Sequence, residues 1–304
     1  MRLHSGVDNT QLMVMLQDAL VKETQIWKPL QYEPVKNKDV EIGSEERDEA
    51  TRWLGRLTEQ FHMHPETMAL AVTVLDRFLH SVKARPKYLR CITLTCFYLA
   101  AKSTEEDEII PGTDELVRES GCACSVVDVL RMERIILDKL SWDLRSITSL
   151  DFLHIFHALL MSRCPHLLDS MRNMTASRQL SILTRKLERC IAFHEILAYR
   201  PATVALALLS LELELFVPEW FRMTIALQKT IQVNNHDLIH CREIMTHHLS
   251  LYPRLHVAYI HNKTSKRKVE EIEVDDDEDI YDSIKRLYNE DDNSSSVITV
   301  VSGS

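Results

Sequence analysis

Glycine is scarce, at six residues in 304, and no glycine follows an Asn or Asp. Tight two-residue hairpins and glycine-rich phosphate loops are therefore excluded as organising features. No apolar run is long enough to span a bilayer, and the N-terminus lacks the basic-then-apolar order of a signal peptide. A soluble protein of the nucleus and cytoplasm, with no membrane partner, is expected. None of the nine prolines follows Ser or Thr, which leaves no proline-directed phosphorylation site. The seven cysteines are odd in number and scattered. Cys122 and Cys124 have no second pair at zinc spacing, so reduced, core-filling thiols are expected rather than a metal site. His236 and His240 share a helical face beside Cys241 but lack a third ligand. With no phosphate loop, nucleophile motif or metal constellation, the chain reads as non-enzymatic and free of cofactors.

The formal charge of −9 is unevenly spread: residues 262–293 hold twelve acidic and six basic side chains, a net of −6 that leaves the remainder near −3. A mildly acidic body argues against nucleic acid as a partner. Residues 253–304 read as a disordered acidic tail. Within it Lys266, Arg267 and Lys268 read as a nuclear import signal. Ile280, Tyr281, Ile284, Leu287 and Tyr288, inside 278–290, fall on one face of a short helix suited to a partner.

What the chain has in quantity is helical period. Leu12, Leu16, Ala19, Leu20, Ile26 and Trp27 make one stripe behind Thr10, a candidate cap. Pro29, Pro34 and Gly43 mark a linker, so 1–43 reads as an N-terminal helix and linker. Helices are then predicted over 44–61 with Ser44 as cap, over 66–79, from Arg85-Pro86 to Lys102, over 114–119, and from Ser125 to Leu140, where Ser125 and Asp128 resemble a capping box. A second series is predicted over 148–160, 177–199, 202–216, 218–229 and 235–251. The Arg-Pro pairs at 85 and 200 each lead into the most apolar helix of their series. One five-helix unit used twice is predicted, giving an all-α protein with tandem units over 44–144 and 145–252.

Two charges stand out against this pattern. Lys102 ends a helix, Leu89–Ala101, that is apolar on nearly every face. Glu133 falls on the stripe formed by Val126, Val129, Leu130, Ile136, Leu137 and Leu140, where a carboxylate needs a partner. Plain structural roles exist for both: a helix C-terminus favours Lys102, and an internal salt bridge suits Glu133. At the offset set by the Arg-Pro pairs, Val217 stands opposite Lys102 and His248 roughly opposite Glu133. The charged pair is therefore expected in the first unit only, as a contact surface that the second unit lacks.

Leu75-Asp76-Arg77-Phe78-Leu79, Leu99-Ala100-Ala101-Lys102 and Leu130-Arg131-Met132-Glu133, in that order and spacing, resemble the cyclin box over about 44–144. The second series is similar to the carboxy-terminal cyclin fold. The resemblance implies a non-catalytic regulatory subunit that binds and activates a cyclin-dependent protein kinase, as a heterodimer rather than a homo-oligomer. It implies kinase contacts at Lys102 and Glu133, with Leu99, Leu137 and Trp142 packing beside them, and an ion pair between Arg47 and Asp76 tying the first box helix to the second. Two departures qualify it. Glu46-Arg47-Asp48-Glu49-Ala50 replaces most of the apolar cluster with which mitotic cyclins recruit substrates, although Trp53 is kept. Ser103 stands where they place a large apolar residue against the kinase. These departures point either to a non-mitotic kinase, such as the neuronal, kinase-five type, or to weak kinase binding. The alternative is a cyclin-fold adaptor or scaffold in transcription or signalling without kinase activation; transcription factors of the IIB type use the tandem fold on DNA, but with a basic surface.

Overall fold

The computed structural model describes residues 9–32, 41–169, 171 and 173–252. The basic cluster Lys266, Arg267 and Lys268, the segment 278–290 and the tail as a whole lie outside the described residues. Among the described residues eleven α-helices follow one another: α1 Asn9–Ile26, α2 Ser44–Gln60, α3 Pro65–Ser81, α4 Leu89–Thr104, α5 Thr113–Ser120, α6 Val126–Lys139, α7 Ser149–Arg163, α8 Ala176–Cys190, α9 Pro201–Glu214, α10 Trp220–Ile231 and α11 Asn235–Ser250. Short 3-10 turns, Pro86–Tyr88 and His194–Ala198, precede α4 and follow α8. The protein is all-α. No described helix is long and apolar enough to cross a membrane.

Local chemistry explains where the helices begin. The side chains of Ser125, Thr148, Thr175 and Asn234 accept hydrogen bonds from the backbone N–H groups of Asp128, Asp151, Arg178 and Asp237, at 3.2, 3.3, 3.2 and 2.6 Å. Each satisfies a donor that the first turn of a helix leaves open. Pro65 and Pro201 stand at first positions, where a missing N–H costs nothing. Two expected caps are corrected. Thr10 lies inside α1, and Ser44 is the first residue of α2 rather than its cap. Gly43 precedes it, donating its N–H to Glu46 Oε2 at 3.0 Å.

The single helix expected over 177–199 is broken. α8 stops at Cys190, and the freed carbonyls of Ile191 and Ala192 accept from α2: Arg47 Nη1 donates to Ala192 O at 3.0 Å, Arg47 Nη2 to Ile191 O at 3.3 Å, and Thr51 Oγ1 to Ala192 O at 2.8 Å. Continuing the helix would take those carbonyls away from a buried arginine. Helical period cannot reveal that competition.

Burial decides the packing. α4 is the middle of one apolar core, with Ile92, Leu94, Phe97 and Ala100 against Leu54, Leu57, Leu75 and Phe78 of α2 and α3 and Val129 and Ile136 of α6. α9 is the middle of the other, with Leu206, Leu208 and Leu209 among α7, α8, α10 and α11. A fully buried leucine contributes about 2 kcal/mol, several times the helix-propensity differences among residues other than glycine and proline. Two threonines inside α4 keep their hydroxyls satisfied locally: Thr93 donates to Leu89 O and Thr95 to Cys91 O, both at 2.7 Å. α1 lies on α7, its Leu12, Leu16 and Ala19 joining the second core.

Candidate functional site

Because α4 and α6 pack directly, Lys102 near the end of one meets Glu133 in the middle of the other, Nζ donating to Oε1. The ammonium also lies 4.6 Å from the centroid of the Tyr98 ring, one turn earlier on α4. Lys102 keeps 39% of its side chain exposed and Glu133 12%. An ammonium carries three donors, and Glu133 takes one.

The three apolar neighbours sit differently. Leu99 is 3% exposed and belongs to the core, so it supports the pair from beneath and presents no surface. Leu137 is half-buried, and Trp142 is 68% exposed. α6 is also less buried than its stripe predicted: Val129, Ile136 and Leu140 go inside, while Leu130 and Val127 face solvent. Leu130 and Leu137 lie about one turn on either side of Glu133, so they share its flank of the helix. The helix has more apolar width than its neighbours cover.

Trp142 is held in an unusual way. Ser141 and Trp142 both adopt left-handed backbone, φ 55° and 56°, a region that costs a non-glycine residue about 1 to 3 kcal/mol. The chain offsets this with bonds from Trp142 N–H to Leu137 O at 2.8 Å and from Trp142 Nε1 to Asp138 Oδ1 at 3.1 Å. An indole is thereby fixed on the surface beyond the end of α6.

The expectation that the second unit lacks such a pair is wrong. Glu214 at the end of α9 pairs with Arg242 of α11. The fixed offset missed it because the connections differ in length: the Arg-Pro pairs are 115 residues apart, but the α6 and α11 caps, Ser125 and Asn234, are only 109 apart. In the register of the caps, Arg242 stands opposite Glu133. What distinguishes the first unit is which charge lies open: there it is the cation, Lys102 at 39%, whereas in the second it is the carboxylate, Glu214 at 43%. Arg242 is only 16% exposed, donates also to Ser210 Oγ at 2.5 Å, and stacks 4.6 Å over Trp220.

Arg47 is fully buried and forks onto Asp76, Nε to Oδ1 at 2.8 Å and Nη2 to Oδ2 at 2.7 Å. Burial alone would push its guanidinium down; the Asp76 charge and hydrogen bond, with Tyr32 and Asp48, outweigh that and hold it above its ordinary value. Asp48 in turn meets His194 Nδ1 at 2.9 Å. Arg47 and Asp48 of the polar run on α2 are therefore spent inside the molecule, while Glu49 stays exposed. The retained Trp53 is 5% exposed, beneath the Arg90 guanidinium at 4.7 Å, so no apolar docking surface is open there. The Ser103 hydroxyl is absorbed by its own helix, donating to Leu99 O at 2.9 Å.

Two residues escaped the sequence reading. Glu105, just past α4, accepts from His64 N–H at 2.7 Å and from His64 Nδ1 at 2.5 Å, which ties the end of α4 to the start of α3. Burial would raise its carboxyl, but hydrogen bonds from Thr67 and His64 hold it below the usual range. Glu23 of α1 is 1% exposed, accepting from Arg200 Nε at 2.9 Å and from Ala202 N–H at 2.8 Å, at the start of α9. Its signal was present: Leu12, Leu16, Ala19 and Glu23 keep helical spacing, so an acid stands on a buried stripe as Glu133 does. Among the described residues no group of three or more His, Cys, Asp or Glu side chains could hold a metal ion.

This geometry agrees with what the chain is similar to. The family model described as Cyclin, N-terminal domain, matches residues 16–145. Human Cyclin-I2 is 36% identical over 247 residues, 81% of this chain, which spans 65% of that relative's own length. Cyclin-G1 of Bos taurus is 33% identical over 229 residues, 74% of this chain and 72% of the relative. The X-ray structure of a viral cyclin from herpesvirus saimiri shares the fold, with a TM-score of 0.59 at 18% identity, over 79% of this chain and 99% of that one. The chain belongs to the cyclin family of non-catalytic regulatory proteins.

Proposed function

We propose that this protein is the regulatory subunit of a cyclin-dependent protein kinase and holds it through α4 and α6. The observation that carries this reading is the half-exposed Lys102, paired with Glu133 beside the outward Leu130 and Trp142 and the half-buried Leu137. An ammonium donates to carbonyls and a carboxylate accepts from amides, so the pair suits the backbone of a kinase helix that reorients. Apolar contact supplies most of the affinity, with the fixed indole as anchor. The subunit acts by binding one of two kinase conformations better than the other.

The kinase is non-mitotic and of the neuronal, kinase-five type. Ser103, small and turned into its own helix, and the covered Trp53 support that choice. The heterodimer works in nucleus and cytoplasm, imported through Lys266, Arg267 and Lys268.

The test is co-purification of the full chain with a panel of cyclin-dependent kinases. Lys102→Ala and Glu133→Ala should each weaken binding about tenfold or more. Trp142→Ala should weaken it about thirtyfold, the equivalent of about 2 kcal/mol. The melting transition should hardly move, because a pair this exposed contributes about 0 to 1 kcal/mol to stability. Normal binding by all three variants would overturn the reading, and an unfolded Lys102→Ala would make the pair scaffold. Binding that leaves kinase activity flat would favour an adaptor.

A further inference from the structure

Three of the seven cysteines come together where α4 passes the entrance to α6. Cys91 is on α4; Cys122 and Cys124 lie in the segment joining α5 to α6, partly exposed and packed on the first core. Gly121, at φ 64°, ends α5 in the left-handed conformation that glycine adopts without strain. The turn is fastened by the Cys122 N–H donating to Ser120 Oγ at 3.3 Å. It leaves two sulfurs, one residue apart in sequence, in direct contact: Cys124 Sγ donates to Cys122 Sγ at 3.0 Å.

We propose that Cys122 and Cys124 form a reversible dithiol–disulfide pair, oxidised by hydrogen peroxide, at the start of the helix that carries Glu133. A disulfide needs its sulfurs at about 2 Å, so closure asks for about 1 Å of movement in a connecting segment. Burial and the neighbouring Cys122 push the Cys124 thiol up, so it keeps its proton and acts as donor. Cys122, which accepts that hydrogen bond, meets the oxidant first. Its sulfur attacks one peroxide oxygen, the O–O bond breaks, and one water leaves behind a sulfenic acid. The Cys124 sulfur then attacks the Cys122 sulfur. The S–O bond breaks, and the departing hydroxide leaves as a second water with the Cys124 proton. Two thiols have lost two electrons and the peroxide has gained them. A small thiol of the glutathione class reverses the step through a mixed disulfide, itself ending as a disulfide.

The link closes immediately before Ser125, the cap of α6, so the oxidation state is set at the first turn of that helix. The proposal concerns thiol chemistry and does not depend on the kinase reading.

The test treats the reduced full chain with hydrogen peroxide and follows intact mass without reductant, then peptide mass after trypsin. Both cysteines fall in the one tryptic peptide 119–131. The expected result is a loss of the mass of two hydrogens in that peptide, restored by dithiothreitol, abolished in Cys122→Ser and in Cys124→Ser, and kept in Cys91→Ser. No such loss, a link between Cys91 and Cys124 instead, or an undiminished loss in Cys122→Ser would each overturn the proposal.

Discussion

His157 sits on α7 with 5% of its surface exposed, and burial pushes its imidazole down to about 4, against the smaller opposing effect of its bond to the Gln179 side chain. The folded protein thus holds this histidine neutral. The unfolded chain takes up a proton below its ordinary 6.5, while the fold resists until about 4. Stability should therefore be complete above pH 6.5 and fall as pH drops through that window, by about 3 kcal/mol in all. Urea unfolding from pH 7 to 4 should show the loss, and His157→Gln should flatten it. An equal loss in the variant would place the acid sensitivity elsewhere. Nothing in the sequence marks this histidine, because its shift comes from neighbours far along the chain. Lys186 and Glu212 are alike in this respect: 6% and 2% exposed, they meet at 2.5 Å between α8 and α9. Both would pass as solvated charges on a helical wheel.

At the scale of elements, the helices themselves were legible, since period, caps and prolines are local. Their ends and faces were less so. α8 stops at Cys190 because Arg47 takes the two carbonyls that follow it, and α6 turns Leu130 outward because it has no neighbour on that flank. α1 shows how one contact attaches an element. Glu23 accepts from Arg200 and from the first open N–H of α9, supplying from outside the cap that α9 lacks. Glu23→Ala leaves the Arg200 charge and the Ala202 N–H without their acceptor, at a cost of about 3 kcal/mol. Hydrogen exchange should quicken along α1 and at the start of α9 while α4 and α6 stay protected. Unchanged exchange in α1 would mean that Leu12, Leu16 and Ala19 suffice to hold it.

At the scale of the molecule, Arg47 is the joint between the two cores. It stands in α2, forks onto Asp76 of α3, and donates across to Ile191 and Ala192 at the end of α8. Removing one member of such a buried pair costs about 3 to 5 kcal/mol. Arg47→Met should lower the unfolding free energy by that amount, bring the denaturant midpoint down with it, and separate unfolding into two steps, one for each core. Arg47→Met with Asp76→Leu should recover part of the loss, since no charge is left buried alone. A single transition at the wild-type midpoint would refute the joint. By itself the sequence determined the helical class, the repeated five-helix order, and the awkward positions of Lys102 and Glu133, because each follows from spacing along one chain segment. Only the tertiary structure decided that Leu99 faces inward and Trp142 outward, that the second unit carries its own reversed pair, and that Glu23, Glu105 and Arg47 bind segments distant in sequence. The physical reason is that burial and the answering of buried charge depend on which helices become neighbours. At α4 and α6 the sequence showed that Glu133 needed a partner, and packing alone left Lys102 half open to solvent beside it.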